Sequence, residues 1–499
     1  MNIFAIDKKG SVTQRVAWIT AANVIAFILS FLTPLLLVRK LSQSDYGVYR
    51  QSLQILTTAV GMLNLQVATS AYYFIPRLPD KKVQVLNNIL VFYALVGLSI
   101  ALIFAIYPEW ALSVFHSPDL VKHIPLIGLA ILLWVVSSSL EVIPLALGDA
   151  RAAGAFTVIS QFTKTTLVIS AAIALPSVRL IIWAAVAQGF LQTIFTLGYI
   201  RRSLGRFYQP FDWGLFKAQL RNAIPYGVGG LVQSFQGDLH NYFVSYHFPP
   251  AMFAIYAVGC FQLPLLGMLE GAFVSVLVPE MTRLEAKKDY QGITTVWASS
   301  VRKLALVFFP AFAFLFIMRY DVITLLYTKA YESSASIFAI FSFSLLLSIT
   351  LTGPIVRAFD ELKFFRLKLS LATFPILGIA LYLGIHLAGL SGAVAAVIAI
   401  FSLDRLASLI TVWRILGLSA RDFHHFMPVL KIALVTAVAG LAVYFLKLPL
   451  AGQHAVARVA VCAAAFGLAY IFAALATGVV TNEERTQLVL LWRRFVPSI

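Results

Sequence analysis

Apolar residues run through this chain in long stretches, separated by short clusters of polar and basic residues. A helix needs about 20 mostly apolar residues to cross about 30 Å of hydrocarbon. Read with that ruler, the pattern predicts fourteen helices, at 16–38, 46–75, 84–107, 122–147, 153–175, 179–200, 220–246, 252–279, 298–318, 335–357, 364–387, 390–415, 428–446 and 456–478. The runs are uninterrupted and lack the alternation of barrel strands, so the predicted class is an all-α integral membrane protein. The largest connections, around 201–219 and 280–297, leave no room for a soluble domain on either face. The segment 481–499 reads as a short amphipathic helix on the inner leaflet, with Arg493 and Arg494 near anionic lipid.

The two halves of the pattern echo one another at offsets of 206–211 residues. Gly61-Met62-Leu63 recurs as Gly267-Met268-Leu269, and Arg77-Leu78 as Arg283-Leu284. Val48-Tyr49 matches Ile255-Tyr256, and Pro144 with Asp149 matches Pro354 with Asp360. Each match alone is at chance level, but all fall in register with the helix count. Helices 1–6 and 7–12 are therefore read as two bundles of the same topology, a parallel repeat because six is even, with helices 13 and 14 outside it. The expected division is a six-helix bundle over 1–210, a second over 211–420, and helices 13–14 with the tail over 421–499. Repeats of this kind commonly place the substrate site between the bundles, near the midplane.

Composition agrees with the pattern: 60% of the 499 residues are hydrophobic and only 12% are charged, about half the charged share of a soluble domain. The formal net charge of +17 raises the question of nucleic acid, and its distribution answers it. With the N-terminus inside, 28 of the 38 Lys and Arg fall on the cytoplasmic side and nine on the other, with Lys164 inside a span. That is the asymmetry of membrane topology, so no nucleic acid is expected and both termini are read as cytoplasmic. No cleavable leader is predicted, since the apolar run after Arg15 is a full span. Cys260 and Cys462 lie in apolar stretches and are read as small buried hydrophobes.

Polar residues at helical spacing inside spans mark candidate cavity walls, because exposing them to lipid is costly. Helix 2 carries Arg50, Gln54, Thr57, Gly61 and Asn64 on one face, and helix 7 carries Ser234, Asp238, Asn241 and Ser245 on another. Gln233, Gly237 and His240 run beside the second stripe; helix 8 adds Gly259, Gln262 and Glu270, and helix 1 adds Thr20, Asn23, Ser30 and Pro34. These helices are the first two of each bundle. The alternative is that such groups bond neighbouring helices; for the ionisable Arg50, Asp238 and Glu270 a cavity role is preferred, although Arg50 lies near enough to the outer end to snorkel. Lys164, beside Gln161 and Thr165, is read either as an anion ligand or as the partner of Glu141. Asp404 and Arg405 are read as pairing with each other or capping a helix.

Enzymatic chemistry is not legible. There is no Gly-Lys dipeptide, hence no phosphate-binding P-loop. The Asp and Glu residues never form an acid-x-acid triplet, which argues against a metal-dependent glycosyltransferase, and the short outer loops argue against a polymerase. His424-His425 lacks further ligands, and no cofactor or metal is expected.

The junction of helices 1 and 2, Leu37 to Tyr49 (LVRKLSQSDYGVY), and that of helices 4 and 5, Leu145 to Arg151 (LALGDAR), resemble those of the polysaccharide-biosynthesis flippases, the Wzx-like O-antigen transporters of the multidrug/oligosaccharidyl-lipid/polysaccharide exporter superfamily. The resemblance implies two six-helix lobes around a cavity opening to alternate sides. It also implies flipping of an undecaprenyl-diphosphate-linked oligosaccharide across a bacterial inner membrane, coupled to H+ or Na+. Arg50 would hold the diphosphate, with Gln54, Asn64, Asn23, Lys164, Gln233, Asn241 and Gln262 lining the substrate cavity. Asp238, His240 and Glu270 would take the coupling ion. Arginine is scarcer on these helices than a lipid II flippase would imply. Membrane lipids and other polysaccharide-assembly proteins are the further partners implied. The rival readings are a cation-coupled exporter of small molecules, a membrane glycosyltransferase or polymerase, and a non-catalytic assembly scaffold.

Overall fold

The computed structural model describes residues 12–115, 117–205, 209–261 and 263–480. Gln262 and the helix predicted over 481–499 lie outside the described residues, as do the side chains of Arg15 and Gln233. All regular structure described is helical, and each of the fourteen predicted passes is met by helix. We number the passes in chain order. The first six are α1 (Val12–Leu37), α2 (Gln43–Asn64, resuming as Ser70–Arg77), α3 (Lys82–Ile106), α4 (Ile124–Ser137, resuming as Val142–Ala146), α5 (Ala150–Ala174) and α6 (Val178–Leu204). The next four are α7 (Trp213–His247), α8 (Pro250–Gly259, resuming as Pro264–Ala286), α9 (Tyr290–Ile317) and α10 (Ser334–Ser342, Ser344–Ser348 and Thr352–Ala358). Phe365–Ile415 is two passes, α11 over 365–387 and α12 over 390–415, because Ala388 and Gly389 leave helical geometry and Gly389 takes φ 57°. The last two are α13 (Met427–Lys447) and α14 (Ala455–Ala476). The chain turns tightly at α11–α12: a Cβ on either Gly384 or Gly392 would overlap the other's backbone carbonyl.

The structure differs from the sequence pattern in one systematic way. Passes α2, α4, α8 and α10, predicted as continuous, are broken. In α2 the break is made by Leu65 and Gln66, both at positive φ. In α4, Ser138 and Ser139 turn their hydroxyls back onto the carbonyls of Val135 and Val136, at 2.6 and 2.9 Å, a local bond that competes with the helical ladder. In α10, Leu351 takes φ 45° and the chain bends by 43°. The breaks in α4 and α10 obey the repeat, since α4 resumes at Val142 and α10 at Thr352, 210 residues apart; α2 and α8 are partners by the repeat but break at different levels, resuming at Ser70 and Pro264.

Nine helices among the described residues are long and apolar enough to cross a membrane, with the bent α10 as a tenth. One of the nine holds both α11 and α12. The passes left over are α2, α7 and α8, three of the four that the sequence marks with polar residues.

The chain divides into two compact units, Met1–Ala257 and Val258–Ile499. In the first, α3 packs on α4, α1 on α5, and α6 on both α4 and α5. Pass α7, which by the repeat opens the second bundle, is fastened within this unit. Asp212 caps it by accepting from the Leu215 amide (2.9 Å) and pairs with Lys81 at 3.3 Å. The fully buried Asn88 of α3 donates to the Asp212 carbonyl and to Gln219, at 3.1 and 3.2 Å. Gln219 in turn donates to Ser70 and to the Val85 carbonyl, at 3.3 and 3.2 Å.

In the second unit α9 packs on α13, α13 on α14, and α8 on the last segment of α10. Trp297 is buried at its centre and donates from Nε1 to the Thr350 carbonyl at 2.8 Å, satisfying a backbone group freed by the α10 break. Helices α13 and α14 are tied down by polar contacts. Tyr470 donates to the Leu306 carbonyl at 3.0 Å and Arg302 to that of Val479 at 2.9 Å. Buried Asp321, in a short helix after α9 (Arg319–Tyr327), pairs with Lys447 at 2.7 Å and Arg458 at 2.6 Å.

Candidate functional site

Four of the polar candidates, Arg50, Gln54, Asp238 and Asn241, lie on α2 and α7, which meet in the first unit. Three points fix how the two helices lie. A Cβ on Gly47 would overlap the carbonyl of Pro250, just past the end of α7; Thr58 donates from Oγ1 to Asp238 Oδ2 at 3.4 Å; and a Cβ on Gly227 would touch the Leu65 backbone. As one number rises the other falls, so the helices run antiparallel with their small and polar residues in the seam. The face of α2 turned to α7 is Gly47, Gln51, Gln54 and Thr58, at steps of 4, 3 and 4.

Asp238 is half-buried, bonded to Thr58 and within the field of Arg50. The Arg50 guanidinium is half-buried and makes no ion pair among the described residues. Tyr242, one turn on from Asp238, also reaches the Thr58 hydroxyl. His240 leaves α7 on a different face: it is buried, with Nδ1 2.9 Å from the Tyr256 hydroxyl of α8. Asp238 and His240 are therefore neighbours in sequence with separate surroundings. Asn241 is half-buried on the Asp238 side of the helix.

The other candidates fall elsewhere. Asn64 works as a clip at the α2 break. It accepts from the Tyr93 hydroxyl on both its carbonyl and side-chain oxygens, and its amide donates to Ser138 at 3.4 Å. Tyr93 also receives the Ala68 amide at 2.8 Å. Asn23 is exposed, because α1 packs on α5 through Ala22 against Gly154 and through Thr33 against Thr165. Lys164 pairs with no carboxylate among the described residues, Glu141 included: its ammonium lies 4.8 Å over the Trp134 ring, whose Nε1 donates to the Ala185 carbonyl. It faces a cavity of about 30 Å³ lined by Tyr49, Ser52 and Trp134 among apolar neighbours, room for a water or two.

In the second unit Glu270 is half-buried, with Arg405 of α12 at 4.0 Å. Asp404 pairs with Arg366 at 2.7 Å and not with Arg405, because consecutive helical residues point about 100° apart. The rings of His424 and His425 lie 4.0 Å apart, tilted by 35°, and no group of three His, Cys, Asp or Glu fit to hold a metal occurs among the described residues.

Sequence reasoning missed Gln51, Thr58 and Tyr242 of the seam, and the Asn88–Gln219 network. The signal on α2 was present: Gln51 and Thr58 stand at helical steps of 3 and 4 from Gln54, beside the stripe of Arg50, Gln54 and Thr57.

Described residues that are helical throughout their regular structure, with long apolar passes and ionisable groups on the least apolar of them, make this a multi-pass membrane protein. Solved structures agree on the fold. The lipid II flippase MurJ in an inward closed conformation matches with a TM-score of 0.67 at 14% identity, covering 92% of this chain and 98% of the flippase. An inward-facing multidrug resistance MATE family transporter of the MOP superfamily matches with 0.57 at 14%, covering 80% and 94%. A MOP superfamily transporter from Pyrococcus furiosus matches with 0.55 at 14%, covering 82% and 97%. The chain belongs to the polysaccharide biosynthesis protein family, whose profile matches residues 74–336. No curated protein sequence matches it significantly.

Proposed function

We propose that the protein flips an undecaprenyl-diphosphate-linked oligosaccharide, an O-antigen or exopolysaccharide repeat unit, from the cytoplasmic to the outer leaflet of a bacterial inner membrane. Both termini lie in the cytoplasm on this reading, as the Lys/Arg asymmetry favours. The observation that carries it is the near end-to-end fold match to a lipid II flippase in a chain of the polysaccharide biosynthesis family. A diphosphate is too costly to pass through bare hydrocarbon, so polar side chains must replace its water. In the first unit Arg50, with no carboxylate bound to it among the described residues, anchors the diphosphate by charge-assisted hydrogen bonds. Gln54, Asn23, Asn64, Asn241, Gln233 and Lys164 supply the polar path on this reading, and Gln262 the same from α8. Asp238 binds the coupling H+ or Na+, with His240 and Glu270 as its further candidate sites. Binding the ion more tightly in one access state than the other is what resets the cycle.

The test is reconstitution into liposomes with a fluorescent polyprenyl-diphosphate oligosaccharide. Outer-leaflet appearance is scored with and without an imposed ion gradient. Gradient-dependent flipping that falls at least about tenfold in Arg50→Ala, the loss of a charge-assisted anchor, is the expected result. No flipping, with gradient-driven efflux of a small organic cation instead, selects the exporter reading.

A further inference from the structure

Three side chains in the α2–α7 seam are buried without a hydrogen-bond partner among the described residues. Gln51 is 0% exposed, Gln54 8% and Ser245 0%. Both amide atoms of each glutamine and the serine hydroxyl lack a partner among the described residues. The register places them together: Gln51 and Gln54 lie between Gly47 and Thr58 on the face of α2 turned to α7, and Ser245 lies two turns from Asp238 on the same face of α7. Antiparallel pairing at the level set by Thr58 and Asp238 brings Ser245 opposite Gln51 and Tyr242 opposite Gln54. Native interiors rarely leave one such group unfilled, and each costs free energy when they do. A run of them ending on a carboxylate is a site.

The chemistry of the run selects its occupant. A bare cation would fill the oxygens and leave the amide N–H groups of Gln51 and Gln54 facing it. A hydrophobic tail would satisfy none of them. Water both donates and accepts, and buried waters typically make about three bonds to such groups. The charged and titratable groups facing Asp238 here are Arg50 from α2 and Tyr242 from α7 itself.

We infer that the seam between α2 and α7 holds a file of ordered water, bound by Gln51, Gln54 and Ser245 and ending on Asp238, through which Asp238 exchanges its proton. The file deepens the ion-coupling part of the proposed function and rests on that reading only for the use made of the proton. It assigns to Gln51 and Ser245 a role distinct from cargo binding. Protonation adds one H+ to the carboxylate, delivered along the file, and deprotonation returns it by the same hydrogen-bonded groups.

The experiment is infrared spectroscopy of the full-length protein in lipid nanodiscs. The protonated carboxyl band of Asp238, assigned by its loss in Asp238→Asn, is followed after a switch from H2O to D2O. In Gln51→Met with Gln54→Met, which keep side-chain volume and remove the amides, hydrogen–deuterium exchange at that band should slow at least tenfold. Ser245→Ala, a one-atom deletion, should slow it by a smaller factor and serves if the double variant does not fold. An unchanged exchange rate in folded variants overturns the inference, as does an Asp238 that shows no protonated band at any pH at which the protein is folded. A melting temperature that rises with sodium over choline, and loses that rise in Gln51→Met, would put a cation in place of the water and overturn it too. None of these readouts needs a transported lipid, so a failed flipping assay and a failed water file are separate results.

Discussion

Asp212 shows how much a single side chain outside the membrane does for this fold. Its carboxylate accepts from the Leu215 amide at the start of α7 and pairs with Lys81, while its own backbone is held by Asn88. The Leu215 amide and then the Lys81 ammonium hold the carboxyl below the usual carboxylate range. A group whose pKa is depressed on folding stabilises the protein above its unfolded pKa, about 3.9 for Asp, and that stability is lost as pH falls through the folded value. In Asp212→Asn the melting temperature should therefore be lower than in the parent by a constant amount from pH 7 to about pH 5. The gap should close below about pH 4, where the parent's carboxyl protonates as well. Thermal melts followed by tryptophan fluorescence across that range check this, and a gap independent of pH would exclude the charge as the cause. The same residue scale separates what the sequence could reveal at the candidate site from what it could not. The ionisable Asp238 and Arg50 stood out because any charge in a span is costly. Asn64 and Asn23 looked the same by spacing, yet the first is bonded to Tyr93 and Ser138 at the α2 break and the second is exposed on α1. Spacing records which face a residue shares, not what stands opposite that face.

At the scale of elements, the helix count and the repeat were legible because hydropathy and residue offsets are properties of the chain alone. The breaks in α2, α4, α8 and α10 were not. Leu65, Gln66 and Leu351 hold positive φ without being glycine, so no local propensity announces them; tertiary partners hold them there. Passes can interrupt their ladders inside a membrane only where the freed backbone groups find new partners. Tyr93 is that partner in α2, accepting from the Ala68 amide and donating to the Asn64 carbonyl, and Trp297 plays the corresponding part for Thr350 in α10. Tyr93→Phe keeps the ring and strands two backbone groups, so it should cost about 2 kcal/mol. The loss should appear as a lower melting temperature, with faster amide exchange at Ala68 than at residues of α3. A variant as stable as the parent would mean that the break is satisfied by other groups.

At the scale of the whole molecule the two extra helices, α13 and α14, pose a physical problem of their own. Lipid tails are as apolar as leucine, so burying apolar surface gives helices in a membrane no reason to associate, and they need close packing or polar contacts instead. The second unit supplies the latter at buried Asp321, which holds Lys447 at the end of α13 and Arg458 at the start of α14. Removing one member of a buried ionic group costs more than replacing the group entirely, because the survivors keep their charge and lose their partner. Asp321→Asn should therefore destabilise by about 3 kcal/mol, and limited proteolysis should release a C-terminal fragment near 448–454 that the parent retains. The triple variant Asp321→Leu, Lys447→Met, Arg458→Met should recover most of that loss. If it recovers nothing, the carboxylate holds the two helices by its specific bonds, and apolar filling cannot substitute for them. If Asp321→Asn costs nothing, the remaining ties, Tyr470 to Leu306 and Arg302 to Val479, are enough to hold α14, and the ionic cluster does no more than tolerate its own burial.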